Sequence, residues 1–371
     1  MAVLNQRYLQ PGERVRVLVV DDSVVIRRLV THALEQDPNL EVVGTASNGS
    51  IGMQRIPQLN PDLVTLDIEM PDMDGLEMLR RIRREYPQLR VIMFSTLTER
   101  GAAKTLEALT LGADDYVAKV SNEGSLDLSM GRLREEMIPK IMQFFRLPGQ
   151  NRPAVEPAPA KVPQVSPVRL GAPPPKGAKE KPKVLVIGVS TGGPTALGSI
   201  LPTLPADYPL PVLVVQHMPP LFTRLLAERL DSTCKLRVEE ATQDRAVEPG
   251  RILIAPGDFH MKLTNNGNGV RVFLDQSPRQ NSCRPAVDVL FASAGEIYGG
   301  AAVAVILTGM GQDGLRGVEI LRARGASVLA QDEATSVVWG MPGAIVSAGL
   351  ADRVLPLDEV VPEILRVTGR N

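Results

Sequence analysis

Ser190 stands in the part of the chain whose residue types point most directly to chemistry. Gly188–Gly192 (GVSTG) follows an apolar run of strand length and fits the G-x-S-x-G pattern. In that pattern a strand turns sharply into a helix and presents a serine nucleophile at the tip. Pro194 suits the first turn of the helix that follows, where a missing N–H does no harm. The pattern predicts a hydrolase that reacts through an acyl-serine.

A serine nucleophile needs a general base, which is most often histidine. The chain has three histidines, His32, His217 and His260. His217 directly follows the apolar run Val212–Gln216, so we expect it at the same edge of the sheet as Ser190. His32 lies in the other half of the chain, and we expect His260 to line the pocket or to be structural. His217 is therefore the predicted base.

Asp313 is the predicted third member of the site. It lies in Leu307–Gly314 (LTGMGQDG), after a further apolar run. There it would accept a hydrogen bond from the imidazole, hold its tautomer and stabilise the imidazolium. Backbone N–H groups in the glycine-rich turns around Thr191 and Met310 are candidates for an oxyanion hole. The chain order Ser…His…Asp differs from that of the α/β-hydrolases and argues against an ordinary esterase or lipase.

The same segment permits a different interpretation. Gly309–Gly314 (GMGQDG) also matches G-x-G-x-x-G, and Asp332 follows near the spacing expected for ribose recognition in a dinucleotide site. That fingerprint usually opens the first βαβ unit of a fold, whereas this one occurs late. It also leaves Ser190 and His217 without a role, so we favour the hydrolase.

Carboxylates are grouped in the first half of the chain. Asp21 and Asp22 directly follow the apolar run Val17–Val20, and Asp67 follows Leu63–Leu66. Three carboxylates at the carboxyl ends of neighbouring parallel strands would converge and repel one another. A hard divalent cation, most plausibly Mg²⁺, would relieve this repulsion. The pattern predicts a metal site.

Two further polar residues end later strands at the same edge. Ser95 contributes a hydroxyl and Lys119 contributes an ammonium group. The cation and Lys119 would hold an incoming phosphoryl group while an aspartate attacks it. Taken singly, each of these residues also has a purely structural interpretation; Asp22, for example, fits a helix N-cap. Together they favour a phosphoacceptor site.

Short Val/Ile/Leu runs alternate with amphipathic helical patterns in both halves, which is typical of βαβ units and buried parallel sheets. We therefore predict an α/β protein with two doubly wound parallel-sheet domains. The predicted strands are Arg16–Val20, Glu41–Ala46, Leu63–Leu66, Arg90–Ser95, Asp115–Val117, Val184–Val189, Val212–Gln216, Arg251–Ala255, Ala302–Leu307 and Ser327–Ala330.

Residues 148–183 contain ten prolines and carry seven Lys or Arg against two Glu. Such a segment cannot bury enough apolar surface to fold, so we predict an extended linker. The resulting division is a first domain at 14–147, a Pro-rich basic linker at 148–182 and a second domain at 183–371.

The whole-chain properties exclude several classes of protein. The net charge of −1 suggests no nucleic-acid partner, and the apolar runs are far too short to span a membrane. The two cysteines, Cys234 and Cys283, have no metal-binding spacing and fit a reducing compartment. We expect a cytoplasmic protein with no direct membrane insertion.

The first half resembles a response-regulator receiver domain, which has a flavodoxin-like strand order. The resemblance rests on Val17–Ser23 (VLVVDDS), Leu63–Gly75 (LVTLDIEMPDMDG), Ser95-Thr96 and Lys119. It implies that Asp67 is the phosphoacceptor, that Asp21, Asp22 and Asp67 bind Mg²⁺, that Ser95 is the switch hydroxyl and that Lys119 contacts the phosphoryl group. One departure is Val120, where receivers usually carry proline, often after a cis peptide bond.

The second half resembles the chemotaxis protein-glutamate methylesterases, whose catalytic domain is Rossmann-like. The matching segments, in order, are GVSTGGP at 188–194, QHMP at 216–219, RPAVDVLF at 284–291, LTGMGQDG at 307–314 and AQDEATSVVWGMP at 330–342. The resemblance implies that Ser190 is the nucleophile, His217 the base and Asp313 its orienting carboxylate. It also implies that Thr191 assists by holding the histidine and that the Met310 N–H binds the oxyanion.

The family reaction hydrolyses glutamyl methyl esters on chemoreceptors, releasing methanol, and deamidates specific receptor glutamines. The resemblance implies a histidine kinase as phosphodonor and Mg²⁺ for receiver phosphorylation, with no cofactor for the ester hydrolysis. It further implies that the unphosphorylated receiver blocks the catalytic cleft. The alternative function is a phosphorylation-controlled module that binds receptors without catalysis. A receiver-linked transcription factor is disfavoured, because the second half has no basic recognition helix.

Overall fold

A computed structural model describes residues 6–96, 98–119, 126–147 and 180–369. Val120 and all but the last three residues of the predicted linker lie outside the described residues. The chain forms two compact units, Met1–Pro148 and Gly149–Asn371.

The first unit is a five-stranded parallel sheet flanked by helices, with a two-stranded parallel pair formed by its first and last strands. Its elements are β1 Arg7–Tyr8, β2 Val15–Val20, α1 Val24–Leu34, β3 Leu40–Ala46, α2 Gly49–Leu59, β4 Leu63–Asp67, α3 Gly75–Glu85, β5 Arg90–Ser95, α4 Glu99–Thr110, β6 Asp115–Ala118, α5 Leu126–Met142 and β7 Phe145–Arg146. The sheet order β3-β2-β4-β5-β6 is the flavodoxin-like arrangement that the receiver resemblance implied.

The second unit is built on a seven-stranded parallel sheet and carries one antiparallel hairpin. Its elements are β8 Val184–Val189, α6 Gly193–Ile200, β9 Val212–Gln216, α7 Pro220–Asp231, β10 Arg237–Glu240, β11 Arg251–Ile254, β12 His260–Asn265, β13 Val270–Asp275, α8 Val287–Tyr298, β14 Ala302–Ile306, α9 Leu315–Ala323, β15 Ser327–Gln331, α10 Met341–Ser347, β16 Arg353–Leu355 and α11 Val360–Val367. The sheet order is β10-β11-β9-β8-β14-β15-β16, and β12 pairs with β13.

The predicted fold class, two doubly wound parallel sheets, is confirmed, and every predicted strand is present within one residue of its predicted bounds. These strands are easy to recognise because both faces are buried; all six residues of β8 and all five of β14 are buried. The sequence analysis did not identify the two-residue strands β1 and β7, the edge strands β10 and β16, or the hairpin. The two edge strands are short and partly polar, and they lack the continuous apolar run of a central strand.

None of the helices within the described ranges is long and apolar enough to cross a bilayer.

Candidate active site and phosphoacceptor site

The serine and histidine sites lie side by side because their strands are neighbours. In the register between β8 and β9, Val189 is paired with Gln216, so Ser190 and His217 are the next residues beyond the paired ends. The backbone N–H of His217 donates to the carbonyl of Val189 at 3.3 Å. From β8 the chain runs to β9 on one side and later returns through β14 on the other. Ser190 therefore stands at the topological switch point of the sheet, where α/β folds commonly place their ligands.

The Ser190 turn has the strand–turn–helix geometry that the motif predicts. β8 ends at Val189, Gly192 adopts a left-handed backbone with φ of 79°, and α6 begins at Gly193. The Ser190 carbonyl accepts hydrogen bonds from the Gly193 N–H at 2.8 Å and from Gln216 Nε2 at 3.0 Å. The turn is thus tied to β9, the strand that carries the histidine.

The imidazole of His217 binds the predicted carboxylate directly. Its Nε2 lies 2.8 Å from Asp313 Oδ2, and its Nδ1 lies 3.6 Å from Cys283 Sγ. Among the described residues, these are the hydrogen-bond partners of the ring; the Ser190 hydroxyl is not one of them. The structure thus joins two of the three predicted side chains by a hydrogen bond, and Ser190 lies at the end of the strand that neighbours the one carrying His217. Because Nε2 is occupied by Asp313, Nδ1 is the nitrogen left to accept a proton.

Asp313 is a buried carboxylate, 2 % exposed, and both of its oxygens accept hydrogen bonds from the described residues around it. Oδ2 accepts the Val287 N–H at 2.6 Å in addition to the imidazole, and Oδ1 accepts the Asp288 N–H at 3.1 Å and the Gly314 N–H at 3.0 Å. Val287 and Asp288 open α8, so the carboxylate also sits at the positive end of a helix dipole. Burial alone would raise the pKa of Asp313, but the His217 hydrogen bond and these amides outweigh burial and lower the pKa.

The same pairing acts in the opposite direction on the histidine. Burial lowers the pKa of His217, whereas its hydrogen bonds to Asp313 and Cys283 raise the pKa, and the net result is a pKa of about 10. The neutral imidazole is the form that accepts a proton. We therefore expect the proton-accepting form to become more populated as pH rises above neutrality.

The two predicted supporting residues lie on turns that border Ser190. Gly309 packs so tightly that a Cβ there would lie 2.7 Å from the Cβ of Ser190. Met310 follows directly in the chain and is 42 % exposed. The Thr191 carbonyl accepts the Thr308 hydroxyl at 2.9 Å, which binds the Ser190 turn to the segment after β14. The roles of Thr191 and Met310 in catalysis stay predictions.

Four polar residues at this site were given no role by the sequence analysis: Gln216, Asn281, Cys283 and Asp288. Two of them stand inside quoted segments, Gln216 in QHMP and Asp288 in RPAVDVLF, which was the available signal. The third histidine, His260, is fully buried and accepts the Ala286 N–H at 3.2 Å through Nδ1, so it is structural, one of the two expectations for it.

The predicted phosphoacceptor site is assembled at the carboxyl edge of the first sheet. Asp21 and Asp67 are buried, and Lys119 Nζ lies 2.9 Å from Asp21 Oδ2 and 2.7 Å from Asp67 Oδ2. Burial and the nearby Asp21 raise the pKa of Asp67 to about 6, against the opposing effect of Lys119. The Lys119 ammonium group thus forms ion pairs with both buried carboxylates, Asp21 and Asp67.

Asp21, Asp22 and Asp67 present oxygen atoms that all lie within 4.8 Å of one another. Oxygen-only donors suit a hard cation such as Mg²⁺, so the residues present fit the predicted ion. Asp22 is exposed and is not the helix cap that its position also allowed; Ser23 is the N-cap of α1. A cavity of about 140 Å³ opens at this site, and Asp22, Asp67, Ser95 and Lys119 are among the residues that line it.

The Ser95 side chain is buried and contacts the start of α4. Its hydroxyl donates to the Gly101 carbonyl at 3.2 Å, and its backbone carbonyl accepts the Lys119 N–H at 2.6 Å. Ser95 therefore lies at the predicted rim and touches both a helix and the lysine strand. This is a suitable position for a hydroxyl that changes partner when the site changes charge.

Comparisons with known proteins agree with this geometry. Residues 185–364 match the family described as CheB methylesterase, and residues 17–129 match the response regulator receiver domain. A Nocardioides protein named protein-glutamate methylesterase/protein-glutamine glutaminase is 54% identical, over 97% of this chain and 96% of its own. Proteins of the same name from Trichodesmium erythraeum (48%; 95% of this chain, 99% of its own) and Thermotoga maritima (43%; 95% and 98%) are also similar. The chain belongs to the family of CheB-type protein-glutamate methylesterases that carry a receiver domain.

Proposed function

We propose that this protein hydrolyses glutamyl methyl esters on methyl-accepting chemoreceptors, releasing methanol, and deamidates specific receptor glutamines. The names of its full-length relatives support this reaction, and they favour it over the non-catalytic binding module. The observation that carries the proposal is the 2.8 Å bond between His217 and buried Asp313 beside Ser190. A buried His–Asp pair next to a serine at a switch point is the arrangement that acyl transfer requires.

In the proposed reaction, Ser190 Oγ attacks the ester carbonyl as His217 Nδ1 takes its proton. Asp313 stabilises the imidazolium through Nε2, and its buried carboxylate stays ionised because five donors surround it. The imidazolium then protonates the departing methoxide, so methanol leaves and an acyl-serine remains. Water, deprotonated by the same histidine, hydrolyses the acyl-serine to glutamate; a glutamine substrate releases ammonia by the same steps.

This mechanism requires the Ser190 hydroxyl to approach Nδ1 when substrate binds, displacing the Cys283 contact. Catalytic hydrogen bonds are often long or absent in free enzymes and tighten in the substrate complex. We propose that the Met310 N–H binds the developing oxyanion and that Thr191 supports the histidine. The position of Gly309 against Ser190 supports the first of these roles.

We propose that Asp67 accepts a phosphoryl group from a histidine kinase and that this phosphorylation controls the esterase. Asp21, Asp22 and Asp67 would hold Mg²⁺, which supplies charge neutralisation for the incoming phosphoryl group; the ester hydrolysis is proposed to need no cofactor. Lys119 pairs with the phosphoryl oxygens, and Ser95 changes partner. We further propose the domain bounds 14–147, 148–182 and 183–371, a cytoplasmic location, and no nucleic-acid partner.

The test is methanol release from methylated chemoreceptor membranes, with and without acetyl phosphate and Mg²⁺. We expect release by the full chain, an increase with acetyl phosphate, and none by the Ser190→Ala variant. Full activity in Ser190→Ala would refute the serine mechanism. Receptor binding without methanol release by folded protein would favour the non-catalytic module.

A further inference from the structure

Gln280–Cys283 forms a tight turn that contacts both members of the His217–Asp313 pair. Gln280 and Cys283 exchange backbone hydrogen bonds of 3.1 and 2.8 Å. The two central residues both have positive φ, 50° at Asn281 and 62° at Ser282, as a type I′ turn requires. Left-handed backbone is unfavourable for a serine, and such backbone is retained where surrounding structure imposes it. The surroundings of the turn therefore hold it in this conformation.

Asn281 reaches from this turn to two buried carboxylates. Its Nδ2 donates to Asp313 Oδ1 at 2.8 Å and to Asp288 Oδ2 at 2.9 Å. An amide NH₂ carries two hydrogens, so one side chain satisfies both contacts. Since Asp313 Oδ2 binds the imidazole, Asn281 donates to the opposite oxygen of the carboxylate, together with the Asp288 and Gly314 N–H groups.

The two bridged carboxylates differ in how readily they protonate. Asp288 is 5 % exposed, and burial together with the charge of Asp313 raises its pKa, so Asp288 protonates more readily than Asp313. Its Oδ1 accepts the Gly317 N–H at 2.8 Å. Asn281 thus links Asp313, whose pKa is lowered, to Asp288, whose pKa is raised.

The segments on both sides of the turn are anchored to the rest of the unit. Arg284 donates to Asp258 Oδ1 through Nε at 3.0 Å and Nη2 at 2.6 Å. The buried ring of His260 lies 3.2 Å from the Pro278 carbonyl through Nε2 and accepts the Ala286 N–H at 3.2 Å. These contacts anchor the segments that flank the turn to Asp258 and His260.

We infer that Asn281 is a positioning residue of the esterase, which orients the Asp313 carboxylate toward His217 by bridging it to Asp288. This inference rests on the proposed function, because it assigns Asn281 a part in the Ser190–His217–Asp313 mechanism. Asn281 acts through Asp313, because its side chain donates to Asp288 and Asp313 and not to Ser190 or His217.

The test compares Asn281→Ala and the isosteric Asn281→Asp with Ser282→Gly in the full chain, using methanol release from methylated receptor membranes. Hydrogen bonds to charged groups are worth enough to predict a fall in kcat of about 10- to 100-fold for Asn281→Ala, with little change in KM. Ser282→Gly keeps the turn, since Asn-Gly is favoured in type I′ turns, and should retain its kcat.

Asn281→Asp supplies a pH signature that a merely structural role would not give. A third carboxylate cannot donate to Asp288 and Asp313 until it is protonated, when its O–H can replace one lost donor. The ratio of variant to wild-type kcat/KM should therefore rise as pH falls.

Unchanged kcat in Asn281→Ala, alongside an inactive Ser190→Ala, would overturn this inference and leave the proposed function intact. Full activity in Ser190→Ala would refute the proposed function itself. Loss of folding in both Asn281 variants, measured by thermal unfolding, would assign the side chain to stability and overturn the inference as well.

Discussion

Replacing Asp313 by asparagine tests the proposed mechanism most directly. The substitution keeps the shape of the side chain and removes its charge. If Nδ2 takes the place of Oδ2, it faces the Val287 N–H and presents a hydrogen to His217 Nε2. Nε2 must then be the acceptor, so the proton of the neutral ring moves to Nδ1, the nitrogen that has to accept the serine proton. If Nδ2 instead takes the place of Oδ1, it faces two backbone N–H groups and the Asn281 amide.

Both orientations predict a large loss of activity. Losing a hydrogen bond between charged groups costs about 1.5–3 kcal/mol, which is about 10- to 100-fold in rate. Holding the wrong tautomer raises the loss to as much as about 10⁴-fold, as the equivalent change does in a serine protease. A buried N–H that faces other donors should also lower the free energy of unfolding by about 1–3 kcal/mol.

The pH dependence gives a second readout with a definite sign. In the wild type, Asp313 helps to raise the pKa of His217 to about 10, so kcat/KM should increase with pH through the neutral range as the neutral imidazole becomes populated. Without the carboxylate the pKa falls toward its ordinary value, and the remaining activity should reach its plateau at a lower pH.

The assay is methanol release from methylated receptor membranes between pH 6 and 10, with urea unfolding as the stability control. Asp332→Asn is the matched control, because Asn can keep the acceptor that binds the Thr335 N–H at 2.9 Å, and it should leave kcat unchanged. A wild-type kcat in Asp313→Asn, or a limiting pKa that does not move, would refute the reasoning.

Two further predictions, the second with a control substitution, concern the two sites. Asp67→Asn should remove the increase in methanol release that acetyl phosphate and Mg²⁺ produce, since no carboxylate nucleophile remains; a persisting increase would place the phosphoacceptor elsewhere. Gly309→Ala should lower kcat, because the added Cβ would lie 2.7 Å from the Ser190 Cβ. Gly198→Ala, where the added Cβ would point into open space on helix α6, should instead leave kcat unchanged and stabilise the fold by about 1 kcal/mol or less, as thermal unfolding would show.

The sequence alone predicted the elements that carry the sites. Central parallel strands are buried on both faces, so their apolar runs are continuous and the ends of the strands can be predicted to within one residue. The carboxyl ends of such strands share one edge of the sheet. The sequence therefore predicted that Ser190 lies near His217 and that Asp67 lies near Asp21 and Asp22. The strands that escaped prediction are the two-residue strands β1 and β7, the short edge strands β10 and β16 and the hairpin, which lack such runs.

The tertiary structure decided how the side chains meet. The sequence pattern could suggest Asp313 as the hydrogen-bond partner of His217, 96 residues away. Only the fold determines that Nε2 binds the carboxylate and that Nδ1 faces Cys283. Asn281 carried no local signal at all. Its part depends on a turn held by distant anchors and on two carboxylates that become neighbours only when α8 packs against the segment after β14. Local patterns specify strands and turns through short-range periodicity, whereas hydrogen-bond partners and charge placement depend on contacts that exist only in the folded chain.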